Sequence, residues 1–307
     1  MLKILMAALV AVTVFSTAAA FGQVTMGAAP QEDIEVAIDS NGTAHVLHIV
    51  AGNATSPVAV QMIAGNYTGL SVTDVQGNSV QYSSISGNPM SVMIFPTQRN
   101  ETLISYNLPK AVTDDNGVWR WDYFAPSDAA FTDFHFPKGV DTIWVVSDDK
   151  STARPVYLAG KGLRQIGNGM HLAYVTNEPV KIQAVQWGNQ TFNVGISTLA
   201  NVGPAAFDQS ARAYGFDIDK AGSFVTVIMP KALLWGPYQG KINSNATLTN
   251  EFHDNDTYAW IGLMPTQSGT VQITGTTAIP EFPLFVPLAF AISAVVATRF
   301  FTKLNFK

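Results

Sequence analysis

Trp119, Trp121 and Tyr123 alternate with Arg120 and Asp122, so a strand through them sets all three rings on one face. Buried, such rings are core; exposed, they form a stacking platform for a glycan or a peptide. Phe131, Phe134 and Phe136 follow, making this the most aromatic stretch of the chain. Within it Asp133 and His135 share a strand face, and a carboxylate beside an imidazole can bind a metal or move a proton. No third ligand accompanies them. His45 and His48 are three apart on an expected strand, which points them to opposite faces and prevents chelation by the pair. Asp114-Asp115-Asn116-Gly117 and Asp254-Asn255-Asp256 are oxygen-rich loops of the kind that hold Ca²⁺. Neither has EF-hand spacing, and the same residue types make turns by bonding their own backbone.

Other reactive strings fail on context. Ser147-Asp148-Asp149-Lys150 fits the Ser-x-x-Lys of penicillin-binding enzymes, but it follows an expected strand in an acidic turn, without the companion motifs. Gly160, Gly162 and Gly167 miss the dinucleotide-binding spacing, and no phosphate loop or Gly-x-Ser-x-Gly elbow occurs. The absence of Cys excludes disulfide scaffolds, thiolate zinc sites, iron–sulfur clusters, cysteine nucleophiles and a bacterial-type lipoprotein anchor. A net charge of −5, with Lys and Arg scattered, leaves no footprint for nucleic acid. The reading is therefore a non-enzyme without a cofactor. An extracellular binding module around Trp119–Phe136 is the alternative, and a metal-dependent enzyme around Asp133 and His135 the weaker one.

Strands and turns must position these residues. Ile34, Val36 and Ile38 share a face; Ser40-Asn41-Gly42 turns, and Thr43 to Val50 returns as the second arm of a hairpin. Leu70 to Asp74, Gln76-Gly77-Asn78 and Ser79 to Ser83 repeat that grammar. Further strands are expected at 91–95, 103–106, 118–124, 142–146, 156–158 and 171–175. Asn177-Glu178-Pro179 reads as a boundary, followed by strands at 181–187, 192–196, 215–218, 224–229, 257–263 and 270–275. Pro230 to Leu234 reads as a single turn. Turn signals every 8–12 residues over about 95 residues fit one sandwich. The expected fold is all-β: two Ig-like β-sandwich domains, residues 23–180 and 181–278.

The two ends read differently from the body. Lys3, the apolar run Ile4 to Phe15 and the small residues Ala18-Ala19-Ala20 form a secretory signal peptide over residues 1–22. Phe282 to Thr298 is uncharged and, at 17 residues, at the lower edge of spanning length, and Arg299, Lys303 and Lys307 follow it. By the positive-inside rule this basic tail stays cytoplasmic and the body lies outside. Without Lys3, Glu281 and the basic tail, the body keeps 13 basic and 21 acidic residues, a net −8. Asn41, Asn53, Asn66, Asn100, Asn189, Asn245 and Asn255 each head an N-x-[ST] sequon, and sequons in an exported chain imply surface positions.

Ile279-Pro280-Glu281-Phe282-Pro283, then the apolar run and the basic residues, resembles the tripartite C-terminal sorting signal of archaeal PEF-CTERM and PEFG-CTERM surface proteins, the latter of thaumarchaeal type. Pro283 stands where the thaumarchaeal motif has Gly. Phe224 to Leu234, followed by Trp235-Gly236-Pro237-Tyr238, is similar to a strand and Ile-Pro-Lys-x-Leu-Leu turn in proteins with this ending, and Thr270 to Thr277 resembles their last strand. The resemblance runs from about Thr191 to Lys307. It implies a membrane-anchored cell-surface protein in an archaeal envelope, with Pro280, Glu281 and Phe282 as its sorting motif. The implied partners are the membrane, an archaeosortase-type processing enzyme, and other envelope proteins or glycans. The resemblance implies location and fold and not activity; the two-ended targeting, the sequons and the missing catalytic motifs together point to a structural or adhesive role.

Overall fold

The computed structural model describes residues 27–278 apart from 29–30, 52–55, 88–89, 96–100, 128 and 168. The expected leader (1–22), the segment 279–307 with Pro280, Glu281 and Phe282, and the sequon residues Asn53 and Asn100 lie outside the described residues. Among the described residues the regular structure is all strand, with no α-helix. The chain divides into two compact units. One holds the residues up to Ala111 with Phe124–His135 and Arg164–Gly169. The other holds Val112–Tyr123, Phe136–Leu163 and the residues from Met170 onward.

The first unit follows the period of two. Ile34, Val36 and Ile38 on strand Gln31–Ile38 are buried, and pair with His48, Val46 and Ala44 of strand Ala44–Ala51. The Asp39 carboxylate closes the turn by accepting the N–H groups of Asn41 and Thr43, each at 3.0 Å. A six-stranded sheet runs Leu163–Gln165, Thr132–His135, Gln31–Ile38, Ala44–Ala51, Glu101–Leu108, Thr68–Asp74. Within it, Thr132–His135 lies parallel to Gln31–Ile38. A four-stranded sheet runs Gly27–Ala28, Val58–Gln61, Ser91–Ile94, Tyr82–Ile85.

One expected hairpin is corrected. Asp74 does close a turn, accepting the N–H groups of Gln76 and Asn78 at 3.0 and 2.8 Å. Beyond it, only the bridge Thr73↔Ser79 joins the two arms, and the chain moves to the other sheet, where Tyr82–Ile85 pairs with Ser91–Ile94. Val80 is buried and its N–H donates to the Val72 carbonyl at 3.0 Å, but Gln81, Tyr82, Ser83 and Ser84 are exposed, so no further apolar residue holds the arm on the first sheet.

The second unit opens with a five-stranded sheet in the order Ala153–Tyr157, Thr142–Val146, Gly169–Tyr174, Val118–Phe124, Thr113–Asp115. A β-sandwich follows. Its first sheet runs Val180–Trp187, Gln190–Ser197, Val225–Pro230, Tyr258–Leu263, Thr249–Asp254. Its second runs Ala206–Asp208, Ala213–Ile218, Gly269–Thr274, Gln239–Ile242, Asn245–Thr247. Ile196, Val227 and Ile261 from the first sheet and Tyr214, Phe216 and Ile273 from the second fill the space between them. The Pro230–Leu234 turn is present, with the Leu233 N–H donating to the Pro230 carbonyl at 2.9 Å. A smaller cluster joins the opening sheet to the sandwich: Trp144 stacks on Phe224 at 4.8 Å between centroids. The boundary expected at Asn177-Glu178-Pro179 falls inside this unit, between the opening sheet and the sandwich.

Candidate functional site

Strand Val118–Phe124 carries the aromatic candidates. Tyr123 is 1% and Trp121 8% exposed, and their rings meet edge to face at 5.4 Å. Trp119 is half-buried and stacks on Tyr174 at 6.5 Å, while Phe136 meets the same Tyr174 edge-on at 5.5 Å. The alternation that aligns the three rings thus turns them largely inward, and Phe124 is left facing solvent. Two of the three rings are thus packed as core, and Trp119 keeps partial exposure.

Asp133 and His135 sit on strand Thr132–His135. Both Asp133 oxygens accept from the Arg164 guanidinium, with Nε at 2.7 Å from Oδ1, and the guanidinium caps the Phe131 ring at 3.9 Å. The Arg164 hydrogen bonds hold the Asp133 carboxyl below its ordinary range. The neighbouring Asp33 is pushed up, first by burial and then by the charge of Asp133. A carboxylate clamped on both oxygens serves a salt bridge, and no three His, Asp or Glu among the described residues stand ready to share an ion.

The histidines divide as their spacing predicts. His45 is exposed, with Nδ1 at 2.7 Å from Asn107 Oδ1. His48 is fully buried, with Nε2 at 2.8 Å from the Tyr106 hydroxyl, and that oxygen also accepts the Ile63 N–H at 3.1 Å. Burial drives the His48 pKa down to about 3, so the imidazole is neutral. Spacing had not singled out His171, whose two ring nitrogens lie 2.7 Å from Asp122 and 3.3 Å from Asp148. Its carboxylate neighbours come from a strand and a turn far apart in sequence, and no local motif marks them.

The oxygen-rich loops are occupied by their own groups. Asp114 accepts the Gly117 N–H at 2.7 Å, and Asp115 accepts from Asn116 Nδ2 at 2.9 Å. Asp254 accepts from Lys231 Nζ at 2.6 Å, and Asn255 Oδ1 accepts the N–H groups of Thr257 and Tyr258 at 2.9 and 2.7 Å. The Asp114, Asp115 and Asn255 bonds are turn chemistry, and Asp254 is held in an ion pair with Lys231 from outside the loop.

The described residues of the second unit line at least two concavities. A pocket of about 200 Å³ opens beside the Thr113–Asp115 strand, where Asp115, Arg120, Glu178 and Lys220 converge around the Phe224 ring. Arg120 lies over that ring at 5.5 Å from its centroid. Burial pushes the Glu178 carboxyl up, opposed by the Ser197 hydroxyl, which donates to it at 2.7 Å. A wider trough of about 590 Å³ crosses the outer face of the second sandwich sheet over Gly215. Asp208, Asp217, Thr270, Gln272 and Asn243 line it with carboxylates, a hydroxyl and amides. Every sequon asparagine among the described residues (Asn41, Asn66, Asn189, Asn245 and Asn255) is exposed.

No family model matches this chain, and no curated protein matches it. Among solved structures, it is similar to the crystal structure of a multidomain protein including DUF1735 from Bacteroides ovatus. That match is 8% identical, covers 82% of this chain and 92% of the other, and has a TM-score of 0.19. A likeness that small carries no argument about function.

Proposed function

We propose that the chain is a secreted, membrane-anchored and N-glycosylated protein of an archaeal cell surface, with a structural or adhesive role in the envelope. In this reading residues 1–22 are a signal peptide, 279–307 a PEF-type sorting motif with a transmembrane helix and basic tail, and the body is built of Ig-like sandwiches. The observation that carries it is the shared exposure of Asn41, Asn66, Asn189, Asn245 and Asn255, drawn from both compact units. Two of these sequons hold a hydrogen bond between the Asn side chain and the residue two positions on. Asn41 Oδ1 accepts the Thr43 N–H at 3.0 Å and its hydroxyl at 2.6 Å, and Asn255 Oδ1 accepts the Thr257 N–H. Each bond engages the amide oxygen, and not the amide nitrogen to which a glycan would be attached. The test is fractionation of expressing cells, with intact mass of the recovered chain. Membrane recovery and stepwise mass loss in Asn→Gln variants are expected; an unglycosylated full-length chain in the cytosol overturns the reading.

A second reading, an extracellular module for a hydroxylated ligand such as a glycan, is favoured by the trough over Gly215. Its carboxylate, hydroxyl and amide lining suits hydrogen bonding to a sugar. Titration of the full chain with a panel of oligosaccharides tests it, and equal binding by wild type and Asp217→Ala removes the trough from consideration.

A further inference from the structure

A strand at the rim of a sheet leaves a row of backbone N–H and C=O groups unpaired, and proteins blunt such rims by shortness, proline, bulges or charge. Nearly every rim among the described strands is blunted in this way. Thr113–Asp115, Leu163–Gln165, Ala206–Asp208 and Asn245–Thr247 have three residues each, and Tyr82–Ile85 has four. Ala153–Tyr157 contains Arg154 and Pro155. Thr68–Asp74 and Thr249–Asp254 are interrupted by register shifts, and the second also carries Glu251 and Asp254.

Val180–Trp187 has none of these defences. It is eight residues long and pairs with Gln190–Ser197 in unbroken register from Val180↔Ser197 to Trp187↔Gln190. It has no proline and no carboxylate. Its one charged residue, Lys181, is drawn aside to donate to the Ala200 carbonyl at 2.8 Å. On the outer face Val180 is 48% and Ile182 62% exposed, and Ala184 is exposed beside them. Among the described residues, no backbone group of this strand bonds outside its pairing with Gln190–Ser197.

We infer that this edge pairs with the same edge of a second copy, antiparallel about a two-fold axis at Gln183. A bare edge accepts an extended strand, and an isologous contact requires a segment that complements itself. This one does. Centring on Gln183 sets Ile182 of each copy opposite Ala184 of the other, a large side chain against a small one. Val180 then faces Gln186, Lys181 faces Val185, and no like charges stand opposite one another. The two first sheets become one continuous sheet. The inference needs only the strand and is independent of the cell-surface reading.

The chain's lack of cysteine makes the register directly testable. Full-length Ile182→Cys chains mixed with full-length Ala184→Cys chains should form a disulfide-linked dimer under mild oxidation, whereas each variant alone should not. Sedimentation of the wild-type chain in mild detergent should show a dimer. Ile182→Lys changes an exposed residue, so its fold should persist by circular dichroism, and self-association should weaken roughly tenfold or more. A monomeric wild type overturns the inference. So does a dimer that Ile182→Lys leaves intact, or cross-linking that single variants achieve as readily as the mixture.

Discussion

At His48 the fold holds an imidazole away from water, which sets a sign for acid sensitivity. The ordinary histidine pKa is 6.5, and in the folded chain it is about 3. Between these values the unfolded chain binds a proton that the folded chain refuses. Stability from this site is therefore complete above pH 6.5 and is lost as pH falls towards 3. Each pKa unit is worth about 1.4 kcal/mol, so the window spans several kcal/mol. Urea midpoints should decline across that range and decline less in His48→Gln. Removing the hydroxyl in Tyr106→Phe deprives both His48 and the Ile63 N–H of a partner, and should cost about 1–3 kcal/mol in denaturation at neutral pH. Glu178 has the opposite sign. Its raised pKa means that ionisation opposes folding, so stability is fullest below pH 4.5 and falls as pH rises through the folded pKa. Glu178→Gln, which can still accept from Ser197, should raise the melting temperature at pH 7 and change it little in acid. His48 was legible only as pointing away from His45; that its face, shared with Val46 and Val50, is the buried one, and that Tyr106 is its partner, required knowing which strand lay alongside. Glu178 gave no such signal, because a glutamate before a proline reads only as a turn.

Among the elements, Gly262 shows how closely the opening sheet sits on the sandwich. A Cβ there would lie 2.3 Å from Pro155 Cγ and 3.0 Å from the Trp144 ring. Gly262→Ala should cost about 1–3 kcal/mol by overpacking, read as a lower denaturation midpoint. A strand with a clear apolar alternation, such as Gln31–Ile38, could be read from its residues because one face alone had to be buried. Gln239–Ile242 and Asn245–Thr247 could not. Only Gly240 and Ile242 among these seven residues are buried, and the turn between the strands depends on Asn243 and Ser244 at positive φ (47° and 72°). The aromatic strand was legible in its alignment but not in its direction, since alternation says which rings share a face and not which face meets a core.

For the molecule as a whole, the boundary that sequence placed near residue 180 crosses a packed seam. Trp144 and Phe224 lie on opposite sides of that point in the chain yet stack face to face. A fragment ending at residue 180 should therefore bind a hydrophobic dye and expose Trp144 to an aqueous quencher, and the full chain should do neither. Parallel pairing in the first unit has a consequence of timing. Strand Gln31–Ile38 gains its neighbour Thr132–His135 only after a long stretch belonging partly to the other unit has been made. A ribosome delivers the chain front end first, so the flank of this strand emerges early and waits, hydrogen-bonding groups bare, until its mate arrives. During that interval a nascent chain is at its stickiest, and a holding chaperone engaged over that stretch of synthesis would find its strongest substrate there.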